Sequence, residues 1–231
     1  MKITVILPTY NEKNNILLLV DKILKNLFEY KDKEILIIDD NSSDGTFNIC
    51  RENLKNNSIK VFLRTKDKGL AKSIRFGIEK SSGDKIIVMD TDHTHDPKYL
   101  GMLLKLSEQS DLVVGSRFFE GGKMTATTHH YLSYLFNIFL RILLRTGVKD
   151  NLGGYFCINK KSLNNLDFDK IFIGYGEYFL RLIFFLKRKN VKINEVGVTY
   201  NLRFKDKSKS NFFKLLFQYT FEALKLRIKN L

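Results

Sequence analysis

Apolar residues dominate five short runs in the first half of the chain, at 3–7, 34–38, 59–63, 85–89 and 111–114, each bounded by polar or glycine-bearing turns. Runs this short, rich in Ile, Val and Leu, read as buried strands. Between them apolar positions recur at helical spacing over roughly 12–28, 45–54, 70–81 and 97–107. The alternation predicts an α/β fold. Strands without polar alternation are covered on both faces, so the expected core is a mostly parallel sheet flanked by helices. Ligands of such sheets bind where the loops gather, at the carboxyl ends of the strands.

Beyond Gly122 the pattern changes to long helical stretches rich in Leu, Phe, Arg and Lys, interrupted by "KDNLGGYFCINKK" and the strand-like "VKINEVGVTYN". No internal repeat, low-complexity linker or proline after Pro97 marks a boundary. The second half therefore completes the first: one domain over 1–231, divided in texture into 1–122 and 123–231.

No stretch reaches the roughly 18 consecutive apolar residues that a membrane-spanning helix requires. Three segments are amphipathic with basic edges: "HHYLSYLFNIFLRILLRTG", "EYFLRLIFFLKRK" and "SKSNFFKLLFQYTFEALKLRIKNL". Each suits an interfacial helix on anionic lipid or an ordinary helix packed on the core. Packing is the favoured reading of any one; three in one basic half point to a lipid contact by at least one.

Composition narrows the partners. The 39 Lys and Arg against 25 Asp and Glu give a net charge of +14, which favours a polyanionic partner: nucleic acid, a phosphorylated substrate or an acidic membrane. Cys50 and Cys157 lack metal or redox spacing and read as buried free thiols, implying a reducing, cytoplasmic setting. The opening "MKITVILPTYNE" is too short an apolar run for a signal peptide and reads as the first strand.

Against that basic background, carboxylates gather at predicted strand ends. In "IIVMDTDHTHDP", Asp90 and Asp92 follow four apolar residues and can present oxygens to one hard cation, Mg2+ or Mn2+. The same stretch also reads as a polar turn, with Asp96 capping the helix that Pro97 begins. In "ILIIDDNSSDGT", Asp39 and Asp40 can accept hydrogen bonds from a ribose hydroxyl or a base N–H, while Asp44 suits a helix cap. "LPTYNE" ends the first strand and offers backbone groups and the Tyr10 ring. Three strand ends can thus line one pocket.

Taken in order, "LPTYNE", "IIDDNSSDGT", "GLAKSIRFGI", "SSGDKIIVMDTDHTHDP" and "VVGSRFFEGG" resemble the motifs of glycosyltransferase family 2, the inverting GT-A enzymes. Within it the chain is most similar to dolichol-phosphate mannose synthases and other polyprenyl-phosphate glycosyltransferases. The similarity extends through "VKDNLGGYFCINKKSL", "GYGEYFLRLIF" and "INEVGVTYNLRFKDKSKS", nearly the whole chain. The resemblance implies that Pro8, Tyr10, Glu12 and Asp40 hold the nucleoside, with Asp39 supporting the same strand end. Asp90 and Asp92 would bind the metal and through it the diphosphate. Thr94, a third candidate ligand, stands where relatives place Gln or Ser. Arg117 matches an arginine facing sugar or phosphate; Arg203, Ser208 and Lys209 match a basic loop that closes on the diphosphate. Where relatives commonly read Ser-Gly-Phe-Arg, this chain has Gly153, Gly154, Tyr155 and Phe156.

The implied reaction moves a hexose, mannose or glucose, from GDP-mannose or UDP-glucose to a dolichyl or undecaprenyl phosphate, with inversion. Positive charge develops on the anomeric carbon and negative charge on the leaving diphosphate, which a cation and arginines would offset. A hydroxyl acceptor would need a general base, for which Asp150 and Glu177 lead the second half. A phosphate monoester, with a second pKa of about 6, is already ionised. His93 and His95 flank the acidic pair, but zinc wants a tighter nitrogen or sulfur set, and His95 reads as structural. His129 and His130 read as solvent-facing or near a headgroup. No Walker loop follows the glycines. The implied setting is the cytoplasmic face of a membrane, bound peripherally, with or without a separate membrane subunit and without nucleic acid. Two other readings remain: the same donor site serving a saccharide acceptor, and a non-catalytic basic nucleotide- or RNA-binding module.

Overall fold

A computed structural model describes residues 1–125, 127–201 and 212–229. The five expected strands form as β1 (Ile3–Thr9), β2 (Lys33–Asp39), β3 (Ile59–Leu63), β4 (Lys85–Val88) and β5 (Leu112–Ser116). Between them lie α1 (Ile16–Asn26), α2 (Thr46–Asn53), α3 (Leu70–Lys80) and α4 (Leu100–Ser107). The second half contributes β6 (Lys123–Met124), α5 (Thr127–Leu144), β7 (Phe156–Asn159), α6 (Phe168–Ile171) and α7 (Glu177–Arg188), then β8 (Ile193–Gly197), β9 (Thr199–Tyr200) and α8 (Phe212–Lys229). Strand order is β3-β2-β1-β4-β7-β5-β8, with β6 and β9 forming a small separate sheet.

Three local expectations change. The first helix begins at Ile16, not near Glu12, because Asn11 takes a left-handed φ of 55° and residues 12–15 form a turn. β3 is the sheet's edge, so Lys60 and Leu63 are exposed and the strand is not fully buried. The helix from Pro97 opens as a 3-10 turn, Pro97–Tyr99, before α4, and Asp96 caps it by accepting the Lys98 N–H at 3.0 Å.

The second half completes the sheet at its centre. β7 runs antiparallel between β4 and β5, pairing Ile86 with Ile158 and Val114 with Phe156. Its side chains alternate between the two faces of the sheet. Tyr155 and Cys157 enter the layer under α1 and α4, and Phe156 and Ile158 enter the layer under α3 and α7. Helix α3 lies so close to β1 that a Cβ on Gly77 would sit 2.5 Å from Ile6 Cγ2. Cys50 and Cys157 are buried thiols, their pKa values pushed up by burial to about 12 and about 11.

At the amino end of β2, the buried Glu34 accepts Ser82 N–H at 2.6 Å, Thr4 Oγ1 at 2.8 Å and Lys60 Nζ at 2.9 Å. Burial alone would raise its pKa; the Ser82 amide, Lys60 and the Thr4 and Ser82 hydroxyls outweigh it and hold the carboxyl at about 2. A depressed folded pKa adds stability above the unfolded value of about 4.3 and loses it as pH falls toward the folded one. Glu34→Gln is therefore expected to be less stable than the parent by on the order of 2–3 kcal/mol near neutrality. Denaturant melts at several pH values should show that gap closing between about pH 4.5 and 2. A gap that does not vary with pH would contradict this account. Phe156, fully buried and stacked on Phe179 at a centroid distance of 5.2 Å, should cost about 3–5 kcal/mol as Phe156→Ala in the same assay.

Candidate active site

β2, β1 and β4 are consecutive parallel neighbours, with Thr9 in register with Asp39 and Ile6 with Val88. Their carboxyl ends therefore reach one edge of the sheet together. The loops leaving them are stitched to one another: Asp40 N–H donates to Thr9 O at 3.0 Å, Asn11 N–H to Ser42 Oγ at 2.8 Å, and Ser43 N–H to Asn11 Oδ1 at 2.9 Å. Asp39 is buried and builds this turn, accepting Ser42 N–H at 2.9 Å and Ser42 Oγ at 2.5 Å. Asp44 accepts Thr46 N–H and Lys13 N–H, both at 3.0 Å, tying the start of α2 to the first loop.

Asp40 faces a partner that sequence reading did not pair with it. Arg64, just past β3, donates to Asp40 Oδ1 at 2.5 Å and to Ser73 Oγ at 2.7 Å, and also to the Asp67 carbonyl. Gly69 N–H donates to Asp40 Oδ2 at 2.6 Å. The only local signal was a cation ending the strand beside the acidic pair. Of the other nucleoside candidates, Tyr10 is exposed at the rim, and Pro8 O accepts Thr91 Oγ1 at 3.4 Å. Glu12 is buried, accepting Asn15 Nδ2 at 2.7 Å.

The acidic pair follows β4 directly. Asp90 N–H donates to His95 Nδ1 at 2.8 Å, and His95 Nε2 lies 3.7 Å from Asp90 Oδ2. The imidazole is fully buried, stacked on Tyr155 at 4.8 Å and edge-on to Tyr200 at 4.7 Å, so it acts as a structural post. His93 is buried beside it with a left-handed φ of 66°; burial, then Lys22, holds its pKa below the usual histidine value. Asp92 is buried and accepts Thr94 N–H at 3.1 Å and Thr94 Oγ1 at 2.6 Å, so Thr94 orients that carboxylate. Asp90 keeps 43% of its side chain exposed.

This donor set fits Mg2+ or Mn2+: two carboxylates and a hydroxyl, all hard oxygens, with one carboxylate open to the cleft. Among the described residues no cluster of three or more His, Cys, Asp or Glu completes a closed cage. Hard oxygens are not the nitrogen and sulfur set that zinc prefers.

Arg117 follows β5. Its Nε and Nη2 donate to the two oxygens of Asp150 at 2.8 and 2.7 Å, and its backbone N–H donates to Asp150 Oδ2 at 3.0 Å. Burial would lower the Arg117 pKa; the Asp150 carboxylate overrides it and raises it. The guanidinium lies 5.0 Å from the ring centroids of both Phe118 and Tyr200. Asp150 is fully buried and paired with Arg117, an arrangement that weighs against its reading as a general-base candidate. Glu195, which the sequence did not single out, fixes that turn by accepting Lys149 N–H at 2.8 Å and Asp150 N–H at 3.1 Å. The other base candidate, Glu177, is buried at the start of α7 and accepts Tyr175 N–H at 2.8 Å.

In the segment that departs from the family pattern, Gly153 O accepts Tyr200 OH at 2.9 Å, while Tyr155 and Phe156 are core residues. It presents backbone, not an arginine, to its surroundings. Three buried tyrosines, Tyr178, Tyr200 and Tyr219, also went unnoticed in the sequence. Burial raises each phenol's pKa, and Asp90 is among the charges that add to the effect. Arg203, Ser208 and Lys209 lie outside the described residues.

Residues 4–167 match the profile of Glycosyl transferase family 2. The chain is 31% identical over 224 residues to the dolichol-phosphate mannosyltransferase of Pyrococcus furiosus, covering 95% of this chain and 62% of that protein. It is 31% identical over 208 residues to the undecaprenyl-phosphate mannosyltransferase of Micrococcus luteus, covering 87% and 84% respectively. The chain thus spans under two thirds of the length of the first relative and most of the second. In architecture it resembles the glucosyl-3-phosphoglycerate synthase of Mycobacterium tuberculosis, crystallised with Mn2+, UDP and glucosyl-3-phosphoglycerate, at a TM-score of 0.73 and 17% identity over 98% of this chain and 79% of that one. By its matched profile, its relatives and a GT-A sheet carrying acidic strand tips, the chain belongs to glycosyl transferase family 2.

Proposed function

We propose that this protein transfers a hexose from a nucleotide sugar to a polyprenyl phosphate, with inversion at the anomeric carbon and dependence on a divalent cation. The observation that carries the reading is the half-exposed Asp90 beside the oriented Asp92, at the tip of a strand adjoining the tips of β1 and β2. Two relatives whose names specify lipid-linked phosphate acceptors support the acceptor class. GDP-mannose is the first donor to try, since both relatives are mannosyltransferases; UDP-glucose is the second.

Asp90, Asp92 and Thr94 are the residues that would hold the cation, which when bound supplies charge neutralisation to the departing diphosphate. The chain's own contribution is preorganisation. His95 fixes the backbone of Asp90, Thr94 aims Asp92, and Arg64 with the Gly69 amide fixes Asp40 at the nucleoside end. Arg117, anchored by Asp150, supplies a positive charge that cannot collapse onto the acidic pair. Arg203, Ser208 and Lys209 carry the expected closing role on the diphosphate. One displacement accounts for inversion: an acceptor phosphate oxygen forms the new bond to the anomeric carbon as the bond to the nucleoside diphosphate oxygen breaks. Such an oxygen brings no proton to remove, so the commitment of Asp150 to Arg117 is no obstacle. A saccharide hydroxyl would need a base that this carboxylate cannot provide, which favours the phosphate acceptor.

Transfer of labelled mannose to a short-chain polyprenyl phosphate with Mg2+ or Mn2+ is the direct test. Asp92→Ala should reduce it by about 100-fold or more with an unchanged circular dichroism spectrum. Labelled product with a glycan acceptor and none with any polyprenyl phosphate would replace the acceptor; no donor turnover with any acceptor would defeat the enzyme reading. Asp150→Asn separates support from base catalysis. Leaving Arg117 buried without its counter-charge should cost about 3–5 kcal/mol in a denaturant melt. A variant of parental stability that loses only activity, with an altered pH profile, would restore Asp150 as the base.

A further inference from the structure

Two loops carry the Arg117–Asp150 pair, one leaving β5 and one leading to β7, and a single side chain of β8 ties both. Glu195 accepts Lys149 N–H at 2.8 Å and Asp150 N–H at 3.1 Å, through one carboxylate oxygen each. It also accepts the Ser116 hydroxyl. Ser116 Oγ in turn accepts Phe118 N–H at 3.2 Å and Phe119 N–H at 3.1 Å, so the turn that bears Arg117 closes on the same carboxylate. The backbone of β8 presses on that turn as well: a Cβ at Gly197 would meet the Glu120 carbonyl oxygen.

We propose that Glu195 is the positioning residue of the Arg117–Asp150 pair, setting where the Arg117 guanidinium stands toward the phosphates of the substrates. The inference deepens, and rests on, the transfer reaction proposed above. Acceptor capacity argues for it. A carboxylate offers two oxygens and no donor, so it can take two amides and a hydroxyl at once; a glutamine would turn an NH2 group toward one of them. The carboxylate is also kept at a cost, since burial, and beyond it the charge of Asp150, push its pKa up. The hydrogen bonds that offset this cost all come from the two loops that hold the pair. Arg117 Nε and Nη2 span both oxygens of Asp150, a bidentate geometry with little play, so a shift of the 149–150 turn carries the guanidinium with it.

Other ties keep the loops folded without Glu195. Asn151 N–H donates to Asn137 Oδ1 of α5 at 2.7 Å, and Asn151 Nδ2 donates to Val148 O at 2.8 Å. Lys149 Nζ lies 4.7 Å from the ring centroid of Phe119, a further link between the two loops. These contacts hold the loops near each other, while the carboxylate fixes the backbone beside each member of the charged pair.

Glu195→Gln tests the linkage in two ways, with Ser116→Ala, which removes only the hydroxyl arm, as a milder second variant. Hydrogen exchange of the full chain, followed by NMR without any substrate, should show the Arg117 Nε–H losing protection about tenfold or more in Glu195→Gln, together with the Lys149 and Asp150 amides, while amides of β1 and β4 exchange as in the parent. In the transfer assay kcat/KM should fall about tenfold or more, through the same parameter, kcat or KM, that Arg117→Lys alters. The two substitutions together should cost little beyond Arg117→Lys alone. Ser116→Ala should give the same signature to a smaller degree, and it carries the test if Glu195→Gln does not fold. Parental protection of the Arg117 Nε–H in both variants, or activity losses that multiply in the double variant, overturns the proposal, because Glu195 would then hold the turn without placing the charge. A parent that turns over no donor defeats the transfer reading instead, and the exchange data then decide the linkage on their own.

Discussion

One buried imidazole joins the two halves of this protein. His95 accepts the Asp90 N–H through Nδ1 and is held between Tyr155, which enters β7, and Tyr200 of β9. A backbone bridge between His95 and Tyr200 adds a second tie. The loop bearing the acidic pair is therefore fixed both by its own Thr94 and His95 and, through that ring, by residues some 60 and 105 positions away. Losing that ring would free the Asp90 backbone and open the contact between sheet and small sheet at once, so the geometry of the acidic pair and the closure of the fold are one constraint.

Around this post, carboxylates divide by burial. Asp39 is spent on the Ser42 turn, Asp40 on Arg64 and Gly69, and Asp150 on Arg117. Each is buried, and each ends in charge-assisted hydrogen bonds that offset desolvation. Asp90 differs in remaining substantially exposed. A chain of net charge +14 can hold several acids near its strand ends because cations are fixed among them: Arg64 on Asp40 and Arg117 on Asp150. The strand ends therefore carry both a substantially exposed carboxylate and fixed positive charge.

What could be read in advance followed the range of the interactions involved. The five strands, their parallel arrangement and the acids at their tips are local patterns, and each strand formed within about two residues of its expected bounds. β7 escaped because "FCIN" is four residues between a glycine pair and lysines, too short for any period; only its place between β4 and β5 makes it a strand. The partners of the acids were equally hidden. Arg64 reaches Asp40 across two strands, Glu195 reaches the 149–150 turn from 45 residues away, and Asp150 reads as a free acid until Arg117 is seen across 33 residues. Amphipathicity identified α5, α7 and α8 as helices, but only packing distinguished the one that is sheathed from the two that keep an uncovered face.

The commitment of Asp150 also constrains what kind of acceptor this arrangement can serve. A carboxylate that receives two guanidinium bonds and a backbone N–H serves as the counter-charge of a buried cation. Its ion pair thus serves the placement of charge. A nucleophile that arrives already ionised suits such a site, because the positive field that would oppose protonating a base instead attracts an anionic acceptor. The excess of basic residues and the burial of Asp150 against Arg117 are in that sense consequences of the same electrostatic choice.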